Sequence, residues 1–143
     1  MQDGTPIDIR IVDFQTSGFN SPVIDVVLVL LEFTHKVTRD RHYQDLLQYY
    51  FDEVTKNLRL MDINPQKIFP WSTFQHHLMC YGRIAVVWSL IGLQTHLSDK
   101  AKVEIDFDRK FSDTGEVKKF EATAELKQRL TDIVSDAARW GYI

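Results

Sequence analysis

The chain has 143 residues, of which 44% are hydrophobic and 26% charged, and its formal net charge is −3. That length and composition are typical of one globular domain with a sizeable core. The acidic balance argues against a nucleic-acid or anionic-membrane surface, so we predict no nucleic-acid partner and no membrane. The single cysteine, Cys80, excludes an internal disulfide framework and favours a reducing, cytoplasmic location. We find no signal peptide, and the uninterrupted apolar runs are too short to span a bilayer.

Residues 1–15 are expected to form a short β-hairpin whose first strand is mostly missing. Asp3-Gly4 is a turn signal, and isoleucines alternate with polar residues through positions 7–11, as in a strand. Only two residues precede the turn, and a strand needs about three to pair usefully. The pattern therefore predicts that Met1 is an internal residue of a longer protein.

The predicted strand ends at Asp13, and a small, polar turn follows at residues 15–18. A carboxylate that leaves a strand for a loop can hold a metal against a phosphate. The same position is also commonly filled by an ordinary turn aspartate. Spacing alone leaves both interpretations open.

The first helix is predicted to begin with Ser21 as its N-cap and Pro22 as its first helical residue, which is a favoured pair. Asp25 then lies in the first turn, where a carboxylate suits the helix dipole. The run Val26–Leu31 is apolar on nearly every face, so this helix is expected to be buried.

Two further helices are predicted over Thr38–Met61 and Phe74–His96. The second of these is apolar nearly all round from Ile84 to Leu93, which predicts a place in the middle of a bundle. Adjacent residues diverge by about 100 degrees on a helix, so His76-His77 cannot hold one metal ion from one face. The buried stripe of Thr38–Met61 is expected to comprise Tyr43, Leu47, Tyr50, Val54, Leu58 and Met61.

A charged connector at residues 98–116 precedes the last helix, which is predicted over Val117–Trp140 with Gly141 as its C-cap. The predicted fold class is thus mainly α, with a short N-terminal β-hairpin at 1–15 and a helical bundle at 21–143. The buried stripe of the last helix is expected to comprise Phe120, Ala124, Leu126, Leu130, Ile133, Val134 and Ala137.

Two stretches, Ile11-Val12-Asp13-Phe14-Gln15 and Ser21-Pro22-Val23-Ile24-Asp25-Val26, are separated by a segment that contains Gly18. Together they resemble the "V-D-F-Q … S-P … D-L" stretch of the ecdysteroid kinase-like family. These proteins are also called CHK kinase-like, and they are distant relatives of choline kinases and aminoglycoside phosphotransferases. The family is further resembled by Asp3-Gly4, by Leu46-Leu47 with Tyr49-Tyr50, and by the ending Gly141-Tyr142-Ile143.

The resemblance covers nearly the whole chain but only the C-terminal part of the family's domain. It implies that residues 1–143 are a single partial domain, the C-lobe portion of a protein-kinase-like fold. It also implies ATP-dependent phosphorylation of a small-molecule hydroxyl substrate by the complete domain, with ATP and Mg²⁺ as cofactors. Asp13 would then be the metal ligand, and Asp25 would support the site by bracing the catalytic loop. The alternative for Asp25 is the helix-dipole role alone.

The other catalytic parts are not found in this sequence. No two glycines lie near enough for a phosphate-covering loop, and neither His-Gly-Asp nor His-Arg-Asp occurs. We therefore assign no catalytic and no nucleotide-binding residue, hold no cofactor certain for this chain, and expect it to be inactive alone. Three interpretations remain: a portion of a small-molecule kinase, a non-catalytic kinase-like binding module with a partner at its truncated face, and an unrelated helical bundle.

Overall fold

The computed structural model describes residues 7, 8, 10, 18–97 and 122–143. Those residues form five helices and no β-strand, which confirms the mainly helical prediction for that part of the chain. The predicted hairpin at 1–15 lies mostly outside the described residues and stays a prediction, as does the kinase-like C-lobe arrangement. The helices are α1 (Pro22–Phe33), α2 (Lys36–Leu60), α3 (Pro65–Ile68), α4 (Trp71–Leu97) and α5 (Ala124–Trp140).

Helices α1 and α4 lie side by side and run in the same direction. Near their starts, Ser21 Oγ lies 2.8 Å from His77 Nδ1. Near their ends, the carboxylate of Glu32 packs against the backbone of Gly92, where a Cβ atom would have no room. These two contacts define the line along which α1 meets α4.

Helices α2 and α5 run in the opposite direction to this pair. Arg39 contacts Asp136, and one turn further on Tyr43 contacts Tyr142, so α2 and the end of α5 run in the same direction. Arg129, near the start of α5, donates to a backbone carbonyl in the last turn of α1. The end of α1 is therefore held by the start of α5, which makes α1 and α5 antiparallel.

Local end signals explain where most helices start and stop. Ser21 and Pro22 begin α1 as predicted, and Gly141 ends α5 in the left-handed conformation at φ 77°. The predicted start of the last helix at Val117 is wrong for residues 122 and 123, because Thr123 is the N-cap and its hydroxyl accepts from the Leu126 amide. The predicted starts of α2 and α4 are two and three residues late, within the usual scatter of helix ends.

The short helix α3 is not among the helices predicted from the sequence. The Asn64 side chain accepts from the Gln66 amide, and Pro65 occupies the first helical position. Asn64 and Pro65 therefore start α3, as expected for a polar N-cap followed by proline. Helix α2 ends earlier, at Leu60, and Asp62 follows in the left-handed conformation at φ 57°.

The prediction that α4 runs through the middle of the bundle is wrong on one side. Val87, Trp88 and Ile91 are 55%, 57% and 42% exposed, because α1 and α5 cover only part of the surface of α4. The expectation that α1 is buried fails in the same way at Val29 and Phe33, which are also exposed.

The buried stripes of α2 and α5 differ in part from those predicted. Tyr43 and Leu47 are buried as expected, but the row repeats every four residues and so exposes Met61. In α5, Ala124 and Val134 are exposed, whereas charged Asp136 is fully buried. The rows that face the core are Arg39, Tyr43, Leu47, Phe51 and Thr55 in α2, and Leu126, Ile133, Asp136 and Ala137 in α5.

Segment Pro65–Thr95 is long and apolar enough to cross a membrane by length and composition, which the count of uninterrupted apolar residues did not predict. About 33% of its most apolar window is buried inside the fold. Core helices of soluble proteins meet the same criterion, so this single segment is weak evidence for a span. The absence of a membrane partner stays a prediction.

Candidate functional site at the start of helix α1

Asp13, the predicted magnesium ligand, lies outside the described residues, so its role stays a prediction. The described chain resumes with three exposed residues at 18–20 that lead into α1. The N-terminal turn of α1 is therefore the part of the predicted site whose geometry the structure describes. It contains both Ser21 and Asp25.

Ser21 occupies the N-cap position of α1 but does not cap the helix with its side chain. Its hydroxyl instead lies 2.8 Å from Nδ1 of His77 in α4, and which atom donates depends on the imidazole tautomer. The Ser21 carbonyl accepts from the Ile24 amide at 3.1 Å, as at an ordinary helix start. The side chain therefore fastens the start of α1 to α4, while the backbone begins the helix.

The imidazole of His77 is held by two aromatic neighbours. Its ring makes edge-to-face contacts with Phe69 and Tyr81, at centroid distances of 5.5 and 5.2 Å. Such perpendicular arrangements are the favoured geometry for aromatic pairs. The half-buried ring therefore presents Nδ1 to Ser21 from a defined position.

Asp25 lies one turn after Ser21 on the same side of α1, and it is exposed. Within the described part of the chain, its carboxylate makes no hydrogen bond, which fits the helix-dipole interpretation. Its negative charge nonetheless reaches Tyr50 in α2: burial, and secondly the Asp25 charge, raise the pKa of the Tyr50 hydroxyl. The brace to a catalytic loop stays a prediction.

The neighbouring histidines have different surroundings, as their helical divergence predicts. His77 faces Ser21, whereas His76 Nε2 lies 3.4 Å from Sγ of Cys80 one turn along α4. Among the described residues, no three His, Cys, Asp or Glu side chains cluster in a way that could hold a metal ion.

A buried ionic contact at the other end of α1 was missed from the sequence. Arg39 Nε donates to Asp136 at 2.7 Å, and both side chains are fully buried. The same guanidinium also donates to the Thr34 carbonyl, just after α1. Arg129 adds a bond to the Glu32 carbonyl at 2.6 Å. Two arginines from two helices thus bind carbonyls at and just after the C-terminal end of α1, where a helix leaves carbonyls without intrahelical partners.

These residues carried a usable sequence signal. Arg39 falls four residues before Tyr43 in the apolar row of α2, and Asp136 follows Ile133 by three in the row of α5. A charge of each sign inside an otherwise apolar stripe indicates a buried pair, because an unpaired buried charge is costly.

One known protein family is similar to part of the chain, and the match covers part of the described site. The model of the ecdysteroid kinase-like family matches residues 1–63. This match confirms the resemblance read from the motif at 11–26, and it includes Asp13, Ser21 and Asp25. It ends before α3, so His77 and the rest of α4 lie outside it. No curated protein and no solved structure matches the chain.

Proposed function

We propose that the chain is the C-terminal, helical portion of a small-molecule kinase-like protein. The complete domain would transfer a phosphoryl group from ATP to a small-molecule hydroxyl substrate, in the cytoplasm. The observation that supports this is the family match over residues 1–63, which spans both proposed site aspartates. Phosphoryl transfer depends mainly on positioning and charge neutralisation, so these are the roles that we assign.

Asp13 is proposed as a magnesium ligand, and Asp25 as a support of the same site. Mg²⁺ takes one or two carboxylates together with phosphate and water oxygens, so Asp13 would supply part of a site. Because the sequence offers no catalytic loop and no phosphate-covering loop, we propose that this chain is inactive alone.

A phosphotransfer assay tests this function. The purified chain is incubated with labelled ATP, Mg²⁺ and a panel of alcohols, beside a longer protein that includes the upstream coding sequence. We expect no product from the chain, and product from the longer protein that is lost with Asp13→Ala. Asp8→Ala is the matched control, since Asp8 is an exposed acid before the motif. ATP-dependent phosphorylation by the 143-residue chain would overturn the proposal.

A second candidate function, a non-catalytic kinase-like binding module, is favoured by one surface. Helices α1 and α4 lie side by side, each exposes large apolar side chains to solvent, and we propose that these side chains form one surface. We call this surface the α1–α4 apolar face, and its five exposed residues are Val29, Phe33, Val87, Trp88 and Ile91.

An exposed apolar surface of this kind marks a contact that is absent from the isolated chain. In the first function the remainder of the kinase-like domain covers the α1–α4 apolar face. In the second function a protein partner with an apolar surface covers it. Size-exclusion chromatography with light scattering separates the two. A stable, monodisperse chain favours the binding module, and a self-associating chain that Trp88→Glu makes monomeric favours the incomplete domain.

A further inference from the structure

We propose that His77 is a positioning residue that fixes the start of α1, and with it the direction in which Asp25 projects. The importance of Asp25 rests on the proposed function, whereas the contact between His77 and Ser21 does not. His77 comes from α4, outside the segment that matches the kinase-like family. It therefore joins the matched segment to the rest of the fold.

The Ser21 hydroxyl contacts another helix and does not cap its own. A serine at an N-cap ordinarily accepts from an amide of the first helical turn. Here the hydroxyl makes a bond to His77 across 56 residues of sequence, and no side-chain cap is formed. Pro22 adds no deficit, because the amide at the first helical position has no intrahelical partner in any helix, so what the start of α1 lacks is the side-chain cap. The tertiary bond to His77 compensates for the missing cap.

His77 is itself held in place by two aromatic neighbours. The His77 ring makes edge-to-face contacts with Phe69 and Tyr81, so a rotation of the ring would disrupt two aromatic contacts. Phe69 in turn packs against Phe74, a fully buried core residue, at a centroid distance of 6.0 Å. Ser21 is therefore anchored to the core through His77.

Helical spacing couples the position of Asp25 to that of Ser21. Residues four apart lie one above the other on a helix, so a shift of Ser21 moves Asp25 with it. Asp25 lies close enough to Tyr50 of α2 for its charge to act on that hydroxyl. Loosening the Ser21–His77 bond therefore allows Asp25 to move relative to α2.

Hydrogen exchange of individual amides, measured by NMR on the 143-residue chain, tests the proposal. Four proteins are compared: the unaltered chain, His77→Ala, His77→Asn and His76→Ala. Asn retains a hydrogen-bonding group near the place of Nδ1. His76→Ala is the control, because it removes the neighbouring histidine of the same helix, whose ring contacts Cys80 instead of Ser21. We expect exchange of the first hydrogen-bonded amides of α1, Ile24 and Val26, to be about tenfold faster in His77→Ala, near the unaltered rate in His77→Asn, and unchanged in His76→Ala.

The amides of α5 serve as the internal reference. If their exchange rises as much as that of the first turn of α1, His77 acts on global stability and the positioning role is wrong. Unchanged exchange at Ile24 and Val26 in His77→Ala, or no rescue by His77→Asn, would also overturn it. If His77→Ala does not fold, Ser21→Ala removes the same bond from the other side and is expected to give the same local increase.

This experiment is independent of catalysis. A negative result would remove the positioning role and leave the kinase-like assignment intact. Conversely, phosphotransfer by the short chain would overturn the proposed function and leave the exchange result unaffected. The double variant Ser21→Ala with His77→Ala completes the set, since two changes that remove one bond are expected to add nothing to each other.

Discussion

The hydroxyl oxygens of Tyr43 and Tyr142 lie 2.6 Å apart in the interior, which joins the C-terminal end of the chain to helix α2. The two residues are 4% and 6% exposed. The ring of Tyr43 also stacks on Trp140 at a centroid distance of 3.5 Å, and Trp140 meets the Tyr142 ring edge-on. The hydroxyl pair and the stacking of Tyr43 on Trp140 thus hold the end of α5 against α2.

We predict that Tyr43→Phe and Tyr142→Phe each lower the free energy of unfolding by about 1–3 kcal/mol, because each leaves the other hydroxyl buried without its partner. The double variant is expected to lose clearly less than the sum, since both polar groups are then gone. Urea denaturation measures all three. Tyr49→Phe, at a residue that is 66% exposed, is the control and should have little effect. Strictly additive losses would show that the two hydroxyls are not coupled.

Alkaline pH should weaken the fold through the same pair. Burial raises the pKa of Tyr43 above its usual value, and burial likewise raises the pKa of Tyr142, although the bond from Tyr43 opposes this. The unfolded chain releases these protons near pH 10, whereas the folded chain retains them. Their contribution to stability is therefore complete below about pH 10 and is lost as pH rises beyond it.

Urea midpoints measured from pH 8 to pH 11 test this expectation. The decline above pH 10 should be shallower for the double variant Tyr43→Phe with Tyr142→Phe, which has no such protons to release. Tyr49→Phe should follow the unaltered chain. An identical decline in all three proteins would mean that other groups cause the alkaline loss.

Asp136→Ala is predicted to lower the free energy of unfolding by about 3–5 kcal/mol, because it leaves the guanidinium of Arg39 buried without a counter-charge. Asp40→Ala is the matched control. Asp136 and Asp40 both pair with Lys36 and Arg139, but Asp40 does so from an exposed position. Its loss is expected to be much smaller. Thermal or urea unfolding compares the two variants. Equal losses of unfolding free energy would show that the buried Arg39–Asp136 pair stabilises the fold no more than the exposed Asp40 contacts do.

Gly82→Ala is expected to destabilise the chain, although alanine is usually the better helix former. A Cβ atom at this position would lie 2.8 Å from ring atoms of buried Tyr142, and that ring has little room to move. Overpacking of this kind costs about 1–3 kcal/mol. Gly18→Ala, with no atom within 4 Å of the added Cβ, is the control. A higher unfolding midpoint for Gly82→Ala would show that the Tyr142 ring shifts readily.

In the longer kinase-like protein that we propose, the two proposed site aspartates should behave differently. Asp13→Ala is expected to abolish phosphotransfer with little loss of folding, because a metal ligand acts on the phosphates. Asp25→Ala should lower the thermal midpoint as well as activity, since a brace supports the fold around the site. Activity assays and thermal unfolding of both variants test this difference in roles. Equal thermal midpoints for Asp13→Ala and Asp25→Ala would contradict it.

Features set by adjacent residues could be predicted from the sequence. The start of α1 at Ser21-Pro22 and the end of α5 at Gly141 depend only on local backbone chemistry, and both are confirmed. The exposed side of α4 could not be predicted, because a helix that is apolar all round has no periodic signal to show which side packs. Packing against α1 and α5 decides it.

The contacts that organise the candidate site join residues far apart in sequence. Ser21 meets His77 across 56 positions, and Arg39 meets Asp136 across 97. Periodicity shows that Arg39 and Asp136 each lie in an apolar row, but which residues meet depends on how two helices lie against each other. Asp13 was singled out instead by the motif that the family match now covers.

The most direct test of the account is the size of the native protein. An antibody raised against the segment from Lys118 to Gln128 would be used to immunoblot extracts of the source tissue. The proposed function predicts a single band clearly larger than the 16.7 kDa of this chain, because it takes the chain to be a portion of a longer protein. A single band at 16.7 kDa would contradict the account and would establish the short chain as the protein whose partner must be found.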